Sequence, residues 1–222
     1  YSKDNKPMKP RHYLPISLKG VNDEDFAMIM GYPGSTDRFL TSYGVKQATD
    51  IEQPARVKLR QTRLELMKED MDASDKIRIQ YASHYAQISN YWKYFIGQTR
   101  GLKRLKVFEK KQKEENAFTA WVNADAERKK RYGNVISDIA WAYGELDKTV
   151  LAETYFTEGV VGMEINNLFF QLFPLYRTLA GGVTDKEQIK QAVEFLKTGI
   201  EDYFKNHNAS TDIKTMAALM EL

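Results

Sequence analysis

The stretch Ser74–Glu115 decides the fold: SDKIRIQYASHYAQISNYWKYFIGQTRGLKRLKVFEKKQKEE. It contains no proline and its apolar residues follow a helical period, so it predicts one helix about 60 Å long, at 1.5 Å per residue. Gly97 and Gly101 are the places where such a helix could bend. A helix of this length is typical of the spine of an antiparallel bundle, which we therefore expect.

Helix start signals also stand on both sides of this stretch. Residues suited to cap a helix recur along the chain, some of them with the spacing of a capping box: Thr49 with Glu52, Ser74, Asp147, Thr184 with Glu187, and Ser210. The predicted helices cover 51–71, 74–115, 117–145, 147–180 and 184–205, with a last one starting near 211. The prediction is a mostly α fold.

The first part of the chain has a strand-like pattern instead. Short apolar runs at 13–18 and 25–30 are separated by a six-residue loop, which predicts a β-hairpin over 13–31. The sequence GYPG at 31–34 is typical of a turn that ends the second strand. Two strands alone are only marginally stable, and no further clear strands follow. We therefore expect the chain to be a piece of a larger protein.

Composition narrows the class of protein. Apolar residues make up 42% of the chain, with 13 Tyr, 11 Phe and 3 Trp, which is enough for a packed core. The 33 basic and 30 acidic residues leave a formal charge of +3, too weak a field to favour a nucleic-acid or membrane-surface partner. Without cysteine, disulfides and thiolate metal sites are excluded. No apolar run approaches the roughly 18 residues of a membrane span.

A search for catalytic patterns finds none. His12, His84 and His207 stand in unrelated contexts, and no zinc helix or serine nucleophile motif occurs. The glycines at 31–34 lack the lysine and the spacing of a phosphate loop, and the acidic junction 69–75 lacks the ligand spacing of a calcium loop. We therefore expect no cofactor, no metal and no catalytic residue within the chain.

The segment Ser89–Phe95 is the most unusual one, because it places four aromatic residues around an asparagine and a lysine. Trp92, Phe95 and Ile96 can share one buried face of a helix, which leaves Asn90 and Lys93 on other faces. From composition alone, the favoured interpretation is bundle core.

Three strings carry a family resemblance: PISLKG at 15–20, DFAMIMGYPGST at 25–36 and YAQISNYWKY at 85–94. They resemble bacterial serine dipeptidyl-peptidases of the seven and eleven type, most strongly over residues 12–123. The resemblance implies a chymotrypsin-like double barrel with a large helical insertion. Residues 1–48 would then be part of the barrel domain, with the hairpin a remnant of a trypsin-like barrel, and residues 49–222 would be the helical cap domain.

The resemblance also implies roles for single residues. In this family the catalytic histidine and aspartate precede the segment and the nucleophilic serine follows it, so His12, His84 and Ser35 inherit no catalytic role and the isolated segment would be inactive. The asparagine of the motif, Asn90, corresponds to the residue whose side-chain carbonyl accepts a hydrogen bond from the free amino terminus of the substrate. This contact would make the enzyme release dipeptides.

The partners that the resemblance implies are peptide substrates and the rest of the parent chain, with a homodimer left open. The implied location is the periplasm or cell surface of a Gram-negative bacterium. The alternative function is a free-standing helical module that binds a protein or peptide through its aromatic residues. Barrel sequence on both sides of the segment would distinguish the peptidase from that module.

Overall fold

The computed structural model describes residues 4–7, 9–28, 30–32, 34, 36–182 and 185–222, and the described chain is mostly helical. It divides into two units, Tyr1–Arg38 and Phe39–Leu222. The α-helices of the second unit are α1 Ser42–Gln47, α2 Gln53–Ala73, α3 Asp75–Arg104, α4 Val107–Asn123, α5 Ala126–Tyr132, α6 Val135–Leu146, α7 Val150–Tyr155, α8 Glu164–Ala180, α9 Lys186–Asn206 and α10 Ala209–Met220. Two π-helical segments, Ala48–Glu52 and Phe156–Val161, extend α1 and α7.

The predicted β-hairpin is wrong, because the described residues of the first unit contain no strand. A turn does form within the predicted loop, where the Asp25 amide donates to the Asn22 carbonyl at 3.2 Å. No backbone ladder extends from it through the described residues, and Leu18 and Phe26 are 95% and 89% exposed. Two strands bury too little apolar surface to hold a hairpin by themselves. The turn predicted at 31–34 includes Pro33, which lies outside the described residues.

The centre of the second unit is the antiparallel pair of α2 and α3. Ser74 alone connects the two helices in an extended conformation, and its Oγ accepts from the Ile77 amide at 3.4 Å, so the predicted N-cap is confirmed. Gln53 is hydrogen-bonded to Gln98 and Thr99 near one end of the pair. Between the Ser74 connection and these hydrogen bonds, apolar side chains of the two helices form a buried cluster of Leu64, Met67, Tyr81 and Ile88.

The long helix predicted over 74–115 is interrupted. α3 runs unbroken through both glycines to Arg104, and α4 starts at Val107 after Lys106, whose φ of 50° is left-handed. That conformation costs a non-glycine residue about 1 to 2 kcal/mol. The interruption redirects α4 so that Glu115 reaches α1, where its carboxylate accepts from the Ser42 amide and hydroxyl, both at 2.6 Å.

Several other predicted boundaries also differ. Thr49 starts no helix, since α1 and its π-helical extension already include it, and Asp147 follows the end of α6. The helix predicted over 117–145 is divided at Asp125, whose carboxylate accepts from the Arg128 amide at 2.8 Å and caps α5. These divisions let short helices pack against their neighbours. A capping residue marks where a helix can begin, but it does not determine such packing.

The C-terminal helices begin at asparagine or aspartate caps. α9 is capped by Asp185, whose Oδ1 accepts from the Glu187 amide at 2.9 Å, while the predicted cap Thr184 lies outside the described residues. α10 is capped by Asn208, two residues before the predicted Ser210. A second buried cluster, formed by Leu59, Met163 and Leu219, joins this last helix to α2.

Candidate functional site

Asn90 lies in the middle of α3, where the helix period separates its side chain from the core. Ile88 is buried and Trp92 packs against the cluster between α2 and α3. Asn90 and Lys93 are exposed, as predicted. The face predicted to be buried is only half-buried at Trp92, Phe95 and Ile96. The side-chain amide of Asn90 makes no hydrogen bond to any residue that the structure describes. Both the carbonyl oxygen and the NH₂ group of this side chain are therefore available to a ligand.

A group of contacting aromatic rings follows Asn90 along α3. The ring centroids of Tyr91 and Phe95 are 6.2 Å apart, and those of Tyr94 and Phe95 are 5.4 Å apart with an edge-to-face arrangement. Gln98 Nε2 donates to the Tyr94 hydroxyl at 2.7 Å. Tyr91 and Tyr94 remain about half exposed, at 54% and 49%. The resulting surface combines an unpaired amide with flat apolar faces, which suits a peptide end.

Charged residues lie beneath this aromatic surface. Glu158, on the π-helical segment after α7, is only 4% exposed. Its Oε1 accepts from Arg60 Nη2 at 3.0 Å, and Arg56 Nη1 lies 3.4 Å from the same oxygen. Arg60 Nε is 2.9 Å from Oε2, but its N–H is not aimed at that oxygen, so this contact is electrostatic. No motif in the sequence predicted this pairing, because Glu158 is remote from α2 along the chain.

A second polar cluster joins α3, α8 and the connection between α9 and α10. Glu164 is its centre: His207 Nδ1 and the Tyr81 hydroxyl lie 3.0 Å and 3.2 Å from Oε2, and His84 Nε2 lies 3.6 Å from Oε1. Arg63 Nη2 is 3.4 Å from His84 Nε2. Part of the lining of a cavity of about 560 Å³ between α3 and α9 comes from Tyr81, His84, Glu164 and His207.

Burial sets the protonation of this second cluster. Desolvation raises the pKa of Glu164, although the hydrogen bond from His207 opposes the shift. Desolvation and the nearby Arg63 guanidinium lower the pKa of His84 to about 4. Desolvation also raises the pKa of the Tyr81 phenol. At neutral pH His84 is therefore uncharged and Tyr81 keeps its proton, and the cluster joins α3, α8 and the connection before α10.

The other candidates of the sequence search do not assemble into a site. His12 lies in the exposed, non-helical first unit, and Ser35 lies outside the described residues. In the described part of the chain, no group of three or more His, Cys, Asp or Glu residues is placed to hold a metal ion. Nor does any described helix combine the length and hydropathy that crossing a membrane requires.

Comparison with known proteins identifies the family. The peptidase S46 family matches residues 1–222. The chain belongs to this family. It is 38% identical over 224 residues to the Asp/Glu-specific dipeptidyl-peptidase of Flavobacterium psychrophilum, covering 100% of this chain and 31% of that protein. It is 37% identical over 222 residues to dipeptidyl-peptidase 7 of Porphyromonas gingivalis, covering 100% of this chain and 30% of that protein.

The structural comparison agrees with the sequence comparison. The crystal structure of Porphyromonas endodontalis DPP11 in complex with the dipeptide Arg-Glu matches with a TM-score of 0.66 and 25% sequence identity. The match covers 99% of this chain and 31% of that one. This peptidase S46 chain therefore spans about a third of the length of the relatives it matches. Its helices correspond to one part of a larger peptidase fold.

Proposed function

We propose that residues 49–222 form the helical cap domain of a serine dipeptidyl-peptidase and that Asn90 binds the free amino terminus of the peptide substrate. The observation that supports this role is the Asn90 side chain itself. It stands exposed and unpaired on a helix that is held on its opposite face by the buried Ile88 and the half-buried Trp92. A rigid helix positions a recognition group better than a loop does.

The chemistry of the amide suits an ammonium group. The side-chain carbonyl of Asn90 can accept a hydrogen bond from the charged amine, and such charge-assisted bonds contribute about 1.5 to 3 kcal/mol. Acetylation removes the charge and adds bulk, so a blocked peptide loses most of this contact. Two extended residues span about 7 Å, so fixing the amine determines which peptide bond meets the catalytic serine.

The rest of the proposal concerns the longer protein. Residues 1–48 belong to the barrel domain that carries the catalytic residues, and the helical domain helps to close the cleft of the complete enzyme. The exposed apolar side chains of the first unit, such as Leu18 and Phe26, support packing against further protein. We further propose that the enzyme acts in the periplasm or at the surface of a Gram-negative bacterium, and a homodimer is compatible with this arrangement.

The test uses the complete product of the gene that encodes these residues. Asn90→Ala should lower kcat/KM for release of a dipeptide from a free-amine chromogenic substrate by roughly tenfold to a hundredfold, the equivalent of the lost charge-assisted bond. Hydrolysis of the acetylated substrate should not change, because that substrate lacks the ammonium group. Asn90→Asp retains an acceptor and should preserve most of the activity.

Asn116→Ala is the matched control, because Asn116 is an exposed asparagine on α4, a different helix from the one that carries Asn90. It should leave both substrates unaffected. Equal activity of Asn90→Ala and the wild type would contradict the proposed role of Asn90. If the wild-type protein released no dipeptide at all, the alternative of a peptide-binding module would be favoured.

A further inference from the structure

A buried carboxylate pairs with two arginines of α2 that in turn lie over aromatic rings of α3, the helix that carries Asn90. Glu158 lies on the π-helical segment Phe156–Val161 and pairs with Arg56 and Arg60 of α2. The side chains of these two arginines are 30% and 17% exposed, whereas that of Glu158 is 5% exposed. One carboxylate thus pairs with two partly buried guanidinium groups, and it is the group in this set that solvent reaches least.

Both guanidinium groups lie over aromatic rings of α3. The Arg60 carbon Cζ is 5.4 Å from the centroid of the Tyr91 ring and 5.6 Å from that of Phe95. The Arg56 carbon Cζ is 5.4 Å from the Phe95 centroid. These distances are within the range of cation–π attraction, and such contacts are strongest when the cation is desolvated. The arginines therefore link Glu158 to the face of α3 that adjoins Asn90.

The geometry gives this link a mechanical consequence. Tyr91 follows Asn90 directly, and Phe95 lies one helical turn further along α3. Two planar groups that rest on two rings of one helical turn resist rotation of that turn about the helix axis. The direction of the exposed Asn90 side chain depends on that rotation, since side chains project radially from a helix.

We propose that Glu158 is a positioning residue for amine recognition: by holding Arg56 and Arg60 against Tyr91 and Phe95, it aims the Asn90 amide at the substrate. This inference rests on the proposed role of Asn90. The π-helical segment contributes to it, because the altered winding places Glu158 where it meets both arginines. Segments of this kind occur frequently at functional sites. Glu158 touches no substrate and acts only through the two arginines.

The test is a double-mutant cycle in the complete gene product. Glu158→Gln keeps the shape of the side chain and removes its charge, and it should lower kcat/KM for the free-amine substrate about tenfold. Hydrolysis of the acetylated substrate should change less than twofold. In a protein that already carries Asn90→Ala, Glu158→Gln should have less than a twofold further effect, because the group that it positions is absent.

Two further variants keep the result interpretable. Glu153→Gln on α7 is the matched control, since Glu153 is exposed and pairs with no described residue. It should leave the ratio of free-amine to acetylated turnover unchanged. Arg60→Lys retains the charge but loses the planar group that lies over the rings, and it should reproduce the loss seen with Glu158→Gln. Where Glu158→Gln yields no folded protein, Arg60→Lys takes its place in the double-mutant cycle with Asn90→Ala.

The two proposals fail in different ways. If Asn90→Ala reduces turnover but Glu158→Gln and Arg60→Lys do not, the positioning role is wrong and the role of Asn90 stands. The positioning role is also wrong if the double variant loses kcat/KM by the product of the two single-variant losses. It is wrong as well if Glu158→Gln lowers hydrolysis of the acetylated substrate as much as that of the free-amine substrate. If Asn90→Ala has no effect, both proposals are overturned.

Discussion

At the scale of single residues, burial decides what each polar side chain does. Asn90 is exposed and unpaired among the described residues, so its hydrogen-bonding capacity is available to a ligand. Glu158 and Glu164 are acidic residues of similar chemistry, but Glu158 pairs with two arginines and Glu164 accepts from a histidine and a tyrosine. Buried polar groups need such partners, since an unpaired one loses its hydration without compensation. The role that we propose for Asn90 uses this free capacity, whereas the buried acids join helices.

His84 makes the stability of the protein depend on pH. Its pKa is about 4 in the folded state and about 6.5 in an unfolded chain, because burial and Arg63 disfavour the imidazolium. A group whose pKa is lowered by folding contributes stability above its unfolded pKa and loses it as the pH falls toward the folded value. Between pH 7.5 and pH 5 the free energy of unfolding should therefore fall by about 1 to 2 kcal/mol through His84 alone.

The comparison of wild type with His84→Gln isolates this contribution. Urea unfolding at both pH values should give a smaller loss on acidification for the variant than for the wild type. Glu164 acts in the opposite direction, because its pKa is raised by folding and its contribution is lost as the pH rises. Since Glu164 is present in both proteins, the difference between them reports His84. An identical pH dependence would show that His84 is not held neutral.

At the scale of elements, the end of α3 depends on one strained residue. The amide of Leu105 still donates to the Gly101 carbonyl at 2.9 Å, whereas that of Lys106 donates to the Lys103 carbonyl at 3.1 Å, which tightens the last turn. The left-handed φ of Lys106 then ends the α3 geometry, and α4 begins at the next residue. The strain persists because α4 gains its contacts with α1, including the Glu115 carboxylate on the Ser42 amide.

Replacing this residue by glycine should relieve the strain. Lys106→Gly removes the Cβ that disfavours a positive φ, so the free energy of unfolding should rise by up to about 1 kcal/mol, net of the greater freedom of glycine in the unfolded chain. Lys106→Ala is the matched control, because it removes the same charge but keeps the Cβ. Thermal unfolding of the two variants side by side measures the difference. A glycine variant no more stable than the alanine variant would argue against strain at this position.

At the scale of the whole second unit, stability depends on contacts between segments that are far apart in sequence. Leu59 on α2 is fully buried, at 0% exposure, and packs with Met163 before α8 and Leu219 on α10. This cluster fastens the last helix to the central pair. Thr211 adds a hydrogen bond from its hydroxyl to Asp70 Oδ2 at 2.7 Å, on the same pair of helices.

Leu59→Ala should therefore destabilise the protein strongly. Truncating a fully buried leucine leaves a cavity and costs about 2 to 5 kcal/mol, measured as the loss in the free energy of unfolding by urea. Leu151→Ala on α7 is the control, because Leu151 is 48% exposed and should cost less than about 1 kcal/mol. Equal losses for the two variants would mean that the Leu59 cluster does not connect the helices as described.

Local sequence was enough to predict the helical class, the Ser74 cap and the face of α3 that carries Asn90, because all three follow from residues within a few turns of one another. Prediction from local sequence failed at the hairpin, since two strands need a sheet to complete them. It also failed at Lys106, where contacts between α4 and α1 override an uninterrupted helical pattern. The family resemblance, carried by strings of local sequence, was confirmed by the family match and by the relatives' names.

Tertiary structure alone decided the two polar clusters. Glu158 meets Arg56 and Arg60, and Glu164 meets His207 and His84, across separations in sequence that no local motif spans. Amino-acid spacing determines which residues share a helix face, but the partner of a buried charge depends on which helices pack together. For this reason the family resemblance, and not the amino-acid spacing, pointed to Asn90 as a recognition residue, whereas only the packing of α2, α3 and the π-helical segment brings Glu158 together with Arg56 and Arg60.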